Sequence, residues 1–142
     1  KIFKIPLLNF IFRHAKAIPI AGAKEDPALM AQAFEQIDAA LATGELVGIF
    51  PEGQITRDGE FNVFRPGVEK ILARRPVPVV PMALRGMWGS LFSRADSALR
   101  RMRLPRRFRA HIELVIGDAV APEQASAAAL ESQVRALRGD WA

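Results

Sequence analysis

The stretch Leu46-Val47-Gly48-Ile49-Phe50-Pro51-Glu52-Gly53, continued by Gln54-Ile55-Thr56-Arg57-Asp58-Gly59, decides how the chain is read. The apolar run Leu46–Phe50 predicts a buried strand. Pro51 cannot donate to a ladder and ends it. A carboxylate and a glycine follow at the turn, then a loop with one basic residue. In an α/β protein, ligand-handling groups collect at this place, beyond the carboxyl end of a strand.

Upstream, Lys1–Arg13 reads as a short helix with Ile5, Leu8 and Phe12 on one side, and Pro6 confined to its first turn. Ala17–Ile20 is a short extended piece. Asp26-Pro27 then opens a helix, with aspartate as N-cap and proline at the first helical position. Met30, Phe34, Ile37 and Leu41 recur on one helical face, and Gly44 closes the helix. Downstream, Pro51–Pro66 is a loop. A helix starts near Gly67, with Val68, Ile71 and Leu72 inward and Arg74-Arg75 at its carboxyl end. Val77–Leu84 reads as a strand apolar on both faces. Strand, short helix and strand in this order form a βαβ unit and imply a parallel pair. A further helix is expected around Leu91–Met102, a strand over Ala110–Ile116, and a terminal helix over Pro122–Arg138 with Leu130, Val134 and Leu137 on one face. The fold class is therefore α/β, a mixed and largely parallel twisted sheet flanked by helices.

Composition narrows the function classes. At 142 residues, half of them hydrophobic and a quarter charged, the chain has material for one core. It has no cysteine, which excludes a disulfide framework and a thiolate zinc site. No metal-ligand cluster, dinucleotide fingerprint or Walker-type loop is present. The charge-free apolar stretches Ile5–Phe12 and Val77–Leu84 are far too short to span a bilayer. The formal charge of +5 is concentrated locally. Arg94, Arg100, Arg101, Arg103, Arg106, Arg107 and Arg109 face a single acid, Asp96, and such a cluster attracts phosphate. Nucleic acid is a weaker partner for it than an anionic membrane surface, because the aromatic interleaving of a base-stacking surface is missing.

On residue content alone, Glu52 can accept from a substrate hydroxyl, orient a nearby cation, or sit solvated in an ordinary β-turn. Gly53 lets backbone N–H groups approach a phosphate closely. Arg57 can pair with that phosphate. Past the Val77–Leu84 strand, Trp88, Leu91 and Phe92 are candidates for acyl or lipid contact, with core packing as the competing reading. Arg100, Arg101 and Arg103 are candidates for the membrane surface. The helix Ile2–Phe12 has an apolar face wide enough for a membrane or a partner.

Two blocks, Phe50-Pro51-Glu52-Gly53 with Arg57-Asp58-Gly59 and Phe64-x-x-Gly67, and Val79-Val80-Pro81-Met82-Ala83-Leu84, resemble in order and spacing the later blocks of the glycerolipid acyltransferases, the lysophosphatidate acyltransferase family. Many members read Glu-Gly-Thr-Arg-Ser after the proline, and the arginine grips the acceptor phosphate; here Ile55 stands at that place. The Glu-Gly-x-Ile-Thr form is similar to domains acting on lysophospholipids such as 2-acyl-glycerophosphoethanolamine, often fused to a transporter-like segment or an acyl-carrier ligase. The resemblance implies the acyltransferase fold and transfer of a fatty acyl group from acyl-CoA or acyl-carrier protein to a lysophospholipid or acylglycerol phosphate, without a further cofactor. It implies an acceptor site at Glu52, Gly53, Gln54, Thr56 and Arg57. It also implies peripheral residence on the cytoplasmic face of the inner membrane, or a cytosolic domain of a larger membrane protein.

The family's His-x4-Asp pair, in which a carboxylate orients the imidazole that takes the hydroxyl proton, is not in the chain. Five positions after His14 stands Pro19, and five after His111 stands Ile116. No catalytic residue is therefore assigned. Residues 1–142 are expected to be the C-terminal part of a single acyltransferase domain whose histidine lies upstream of Lys1. The alternative is a catalytically silent module that binds anionic lipid.

Overall fold

The computed structural model describes residues 17–20, 26–54, 62–86 and 111–140. The expected helices Lys1–Arg13 and Leu91–Met102 fall outside these residues. The chain groups into two compact units, Lys1–Val47 and Gly48–Ala142.

In the first unit, helix α1 spans Pro27–Ala42. Its start and stop follow from local chemistry. The Asp26 side chain accepts from the Leu29 N–H at 2.9 Å, and proline stands at the first helical position. At the other end the Gly44 N–H donates to the Leu41 carbonyl and the Glu45 N–H to the Ala40 carbonyl. This pair of bonds is a Schellman closure. It requires the left-handed backbone that Gly44 adopts at φ +77°. Ala33, Phe34 and Ile37 are the buried side chains of the helix.

In the second unit, helix α2 (Gly67–Arg74), strands β1 (Met82–Arg85) and β2 (Glu113–Ile116), a short 3-10 turn (Pro122–Gln124) and helix α3 (Ala127–Arg138) follow in order. The strands pair antiparallel, Met82 opposite Ile116 and Arg85 opposite Glu113. The described residues thus hold a small antiparallel sheet rather than the largely parallel one expected. The reason lies at Leu46–Phe50, which forms no strand. Leu46 and Phe50 are exposed, and no ladder partner lies against them among the described residues. Without that strand the βαβ unit has no first member, and β1 pairs instead with the strand that follows it.

The expected strand over Val77–Leu84 is broken near its middle. Val79 and Val120 exchange both backbone bonds, at 2.9 and 2.8 Å, and the ladder resumes at Met82 and Ile116. Three steps on one side (79 to 82) answer four on the other (116 to 120), which is a bulge. Pro81, which has no N–H, occupies the interruption, and its carbonyl accepts from Gly117 at 2.9 Å. A Cβ on Gly117 would lie 3.1 Å from the Pro81 ring and 3.0 Å from Leu137, so a side chain there would have to push its neighbours apart by a few tenths of an ångström.

One face of the ribbon packs on α3. Ala83 joins Phe64, Val68, Leu72, Val120, Ala125, Leu130 and Val134 in a single core. The other face carries Val80, Met82, Leu84, Ile112, Leu114 and Ile116, each 42–58% exposed. Polar groups fasten the elements around the core. Glu69 of α2 accepts from the Ala127 N–H at the start of α3. The Arg85 guanidinium of β1 donates to the Leu137 carbonyl at its end, Nε at 2.9 Å and Nη2 closer still. Both are groups that a helix leaves without an internal partner.

Glu131 of α3 joins the core helix to the segment before α2. It accepts from the Phe64 backbone N–H and from Arg135, each at 3.0 Å. The Phe64 N–H, and then the Arg135 side chain, hold its carboxyl below the ordinary carboxylate range, against a smaller opposing effect of partial burial. A depressed pKa in the folded state gives stability that is present above the unfolded pKa and lost as pH falls through the folded value. The melting temperature is therefore expected to drop on acidification through and below the ordinary carboxylate range. Glu131→Gln should flatten that drop in a pH series of thermal melts; an unchanged profile would show that the contact carries no linkage.

Candidate functional site

Phe50-Pro51-Glu52-Gly53 folds as a tight turn. The Gly53 N–H donates to the Phe50 carbonyl at 3.1 Å, with Pro51 and Glu52 at the two central positions. Gly53 leaves the turn at φ +64°. Its N–H is thereby engaged inside the turn. A Cβ on Gly53 would stand 3.0 Å from Nε, 3.1 Å from Cδ and 3.3 Å from Cζ of Arg65, so the guanidinium lies directly over the glycine.

Two short segments are tied side by side to make this arrangement. The Arg65 N–H donates to the Pro51 carbonyl at 2.9 Å. The half-buried Glu52 carboxylate takes, on one oxygen, the Asn62 backbone N–H at 2.8 Å and its side-chain Nδ2 at 3.1 Å. Gln54 Nε2 donates to the Asn62 Oδ1 at 2.6 Å. Glu52, Asn62 and Gln54 thus form a relay across the neck of the loop. A charge-assisted bond to a backbone N–H is among the stronger ties available to a surface loop, about 1.5–3 kcal/mol. Phe64, two residues after Asn62, is buried in the core, and Gly67 begins α2, so the far side of the neck is anchored to packed structure.

Of the residues assigned from sequence, Glu52, Gly53 and Gln54 are brought together. Thr56 and Arg57 lie outside the described residues, as do Trp88, Leu91, Phe92, Arg100, Arg101 and Arg103. Sequence reasoning missed Asn62 and Arg65. Arg65 sits inside the Phe64-x-x-Gly67 block, one position from a core anchor, and that was the signal available. It is exposed, and among the described residues no carboxylate is paired with it. His111 is also exposed and precedes β2. Among the described residues no group of three or more acidic or histidine side chains could hold a metal ion. No described helix is long and apolar enough to cross a membrane.

The comparisons bear on the same half of the chain. Residues 1–85 match the family model described as Acyltransferase. A chloroplast 1-acyl-sn-glycerol-3-phosphate acyltransferase of Brassica napus is 31% identical over 85 residues, 60% of this chain and 24% of that protein. Its counterpart in Arabidopsis thaliana is 29% identical over 85 residues, 60% of this chain and 23% of that protein. The match thus spans about a quarter of each relative's length, and no solved structure matches.

Proposed function

The chain belongs to the acyltransferase family, and from that premise we propose that it forms the acceptor-binding part of a glycerolipid acyltransferase. The reaction moves a fatty acyl group from acyl-CoA or acyl-carrier protein to the free hydroxyl of a lysophospholipid or acylglycerol phosphate. The hydroxyl oxygen attacks the thioester carbonyl, the carbon–sulfur bond breaks, the hydroxyl proton passes to a general base, and the thiol leaves. A peripheral position on an anionic membrane face suits such a reaction, since the acceptor resides in a bilayer. The names of the two plant relatives support an acyl-glycerophosphate acceptor.

The observation that carries this reading is the neck between residues 51–54 and 62–65. It lies within the family match and holds a carboxylate, two amides and a guanidinium together at the surface. Glu52 works there as the clamp that fixes Asn62, and through Asn62 the amide of Gln54.

The test is acyl transfer by the native enzyme that contains this chain, using labelled acyl donor and lysophospholipid. Glu52→Ala removes both bonds to Asn62. It is expected to lower catalytic efficiency toward the acceptor about ten- to hundredfold, with KM for the acyl donor little changed. Arg74→Ala, on the exposed carboxyl end of α2, serves as the control and should change little. Absence of any acyl transfer by the native enzyme would reject the proposal. Equal small effects of both substitutions would leave the neck without a part in acceptor use.

A further inference from the structure

We propose that Arg65 is the residue that grips the phosphate of the acceptor, and that Gly53, at φ +64°, leaves open the space over the turn in which the guanidinium lies. The inference rests on the acyltransferase reading above and adds to it the anion-binding group. Position 55 is isoleucine and offers no charge to a phosphate. The guanidinium that the structure brings to the Phe50–Gly53 turn comes instead from the other side of the neck.

Three observations converge on Arg65. Its backbone is fixed, with the N–H on the Pro51 carbonyl at 2.9 Å and the preceding Phe64 buried in the core. Its side chain is directed over the turn by contact of Nε, Cδ and Cζ with the space above Gly53. It is exposed, with no carboxylate paired to it among the described residues. A guanidinium held along its stem and open at its fork can present parallel N–H groups to phosphate oxygens, which a lysine cannot match. Beside it, Gln54 Nε2 uses one hydrogen on Asn62 and keeps a second. The ligand class is a phosphate ester, and a lipid head group and free phosphate share this chemistry.

The experiment titrates the 142-residue chain with inorganic phosphate and, separately, with a short-chain, water-soluble lysophosphatidate, following backbone amide shifts by NMR. Arg65→Gln is expected to weaken both about ten- to hundredfold, and Arg65→Lys to recover only part of the loss. Gly53→Ala keeps every charged group yet should weaken both probes as well, because a Cβ there strains the turn at φ +64° and presses on the guanidinium at 3.0–3.3 Å. Thermal melts of each variant guard against misfolding, and Arg65→Lys supplies the reading if Arg65→Gln does not fold. Wild-type binding retained in Arg65→Gln, or no binding of either probe by the wild-type chain, overturns the proposal. In the native enzyme, Arg65→Lys should raise KM for the acceptor and leave KM for the donor unchanged. An unchanged acceptor KM alongside lost phosphate binding would overturn the acceptor assignment. Arg65-dependent binding of both probes without acyl transfer by the native enzyme would uphold the anion site and reject the enzymatic reading instead.

Discussion

A chain carrying Gly86→Ala is expected to melt about 10 °C or more below the wild type, or to fail to fold. Gly86 sits at φ +70°, where an L side chain already costs about 1–3 kcal/mol. The larger part comes from its neighbour. An added Cβ would lie 2.1 Å from the His111 carbonyl oxygen and 3.3 Å from its carbon. Those are backbone atoms, so no side chain can swing aside; the main chain itself must move. It cannot move freely, because Gly86 follows Arg85 at the last rung of the ribbon, opposite Glu113. Shifting His111 loosens that rung and with it the Arg85 bonds to the end of α3. A total loss of about 3 kcal/mol or more, against a stability of about 5–15 kcal/mol for a typical domain, is a large share. Gly44→Ala supplies the comparison. Its φ is +77°, but nothing lies within 4 Å of the added carbon, so only the conformational cost of about 1 kcal/mol applies. Denaturant and thermal unfolding of the two variants measure the difference. Equal losses would show that the approach of residues 86 and 111 does not hold the ribbon.

What the sequence disclosed divides by the range of the interactions involved. Helix α1 was legible almost to the residue, because Asp26, Pro27 and Gly44 act on backbone within a few positions of themselves. α2 and α3 were legible from their apolar faces, although Pro122–Gln124 forms a separate turn before α3 starts behind its Ser126 cap. Strands fared worse, because a strand is defined by a partner that can lie far away in the chain. Leu46–Phe50 has the composition of a strand and no ladder among the described residues, which hold no parallel pair. The reading of Val77–Leu84 as apolar on both faces was correct as composition. Only one of those faces is covered among the described residues. The bulge opposite Pro81 shortened the regular strand to Met82–Arg85, and an extra residue on the partner strand leaves no local signature. In the site, Glu52 and Gly53 stood out because proline, acid and glycine follow an apolar run. Asn62 and Arg65 did not, since their meaning depends on residues 62–65 meeting residues 51–54. Gly53 is the instructive case. Its need for glycine was legible from the turn, while the arginine lying over it was not.

The 142-residue chain by itself is expected to transfer no acyl group at a rate typical of an enzyme, even while it binds the acceptor phosphate. The chemistry requires a base to take the hydroxyl proton as the oxygen attacks the thioester. Loss of a general base typically lowers rates about 10²–10⁴-fold. Neither histidine carries the aspartate of a His-x4-Asp pair. His14 is followed at the fifth position by Pro19 and His111 by Ile116, so the oriented imidazole–carboxylate pair is not formed in sequence. His111 is exposed, and its carbonyl is committed to the close approach of Gly86. Among the described residues no carboxylate is bonded to its ring. Glu52 Oε2 already accepts two bonds from Asn62, which gives this carboxylate a positioning part in the neck. The assay uses labelled acyl-CoA and acyl-carrier protein with a lysophospholipid, and phosphate binding is measured on the same preparation. Binding without turnover would separate the two halves of the reaction, assigning recognition to the neck and proton transfer to a group outside these residues. Turnover at ordinary rates would place the base within the chain. His14→Ala and His111→Ala would then identify it, with loss of activity in one and not the other naming the histidine that sequence and geometry had passed over.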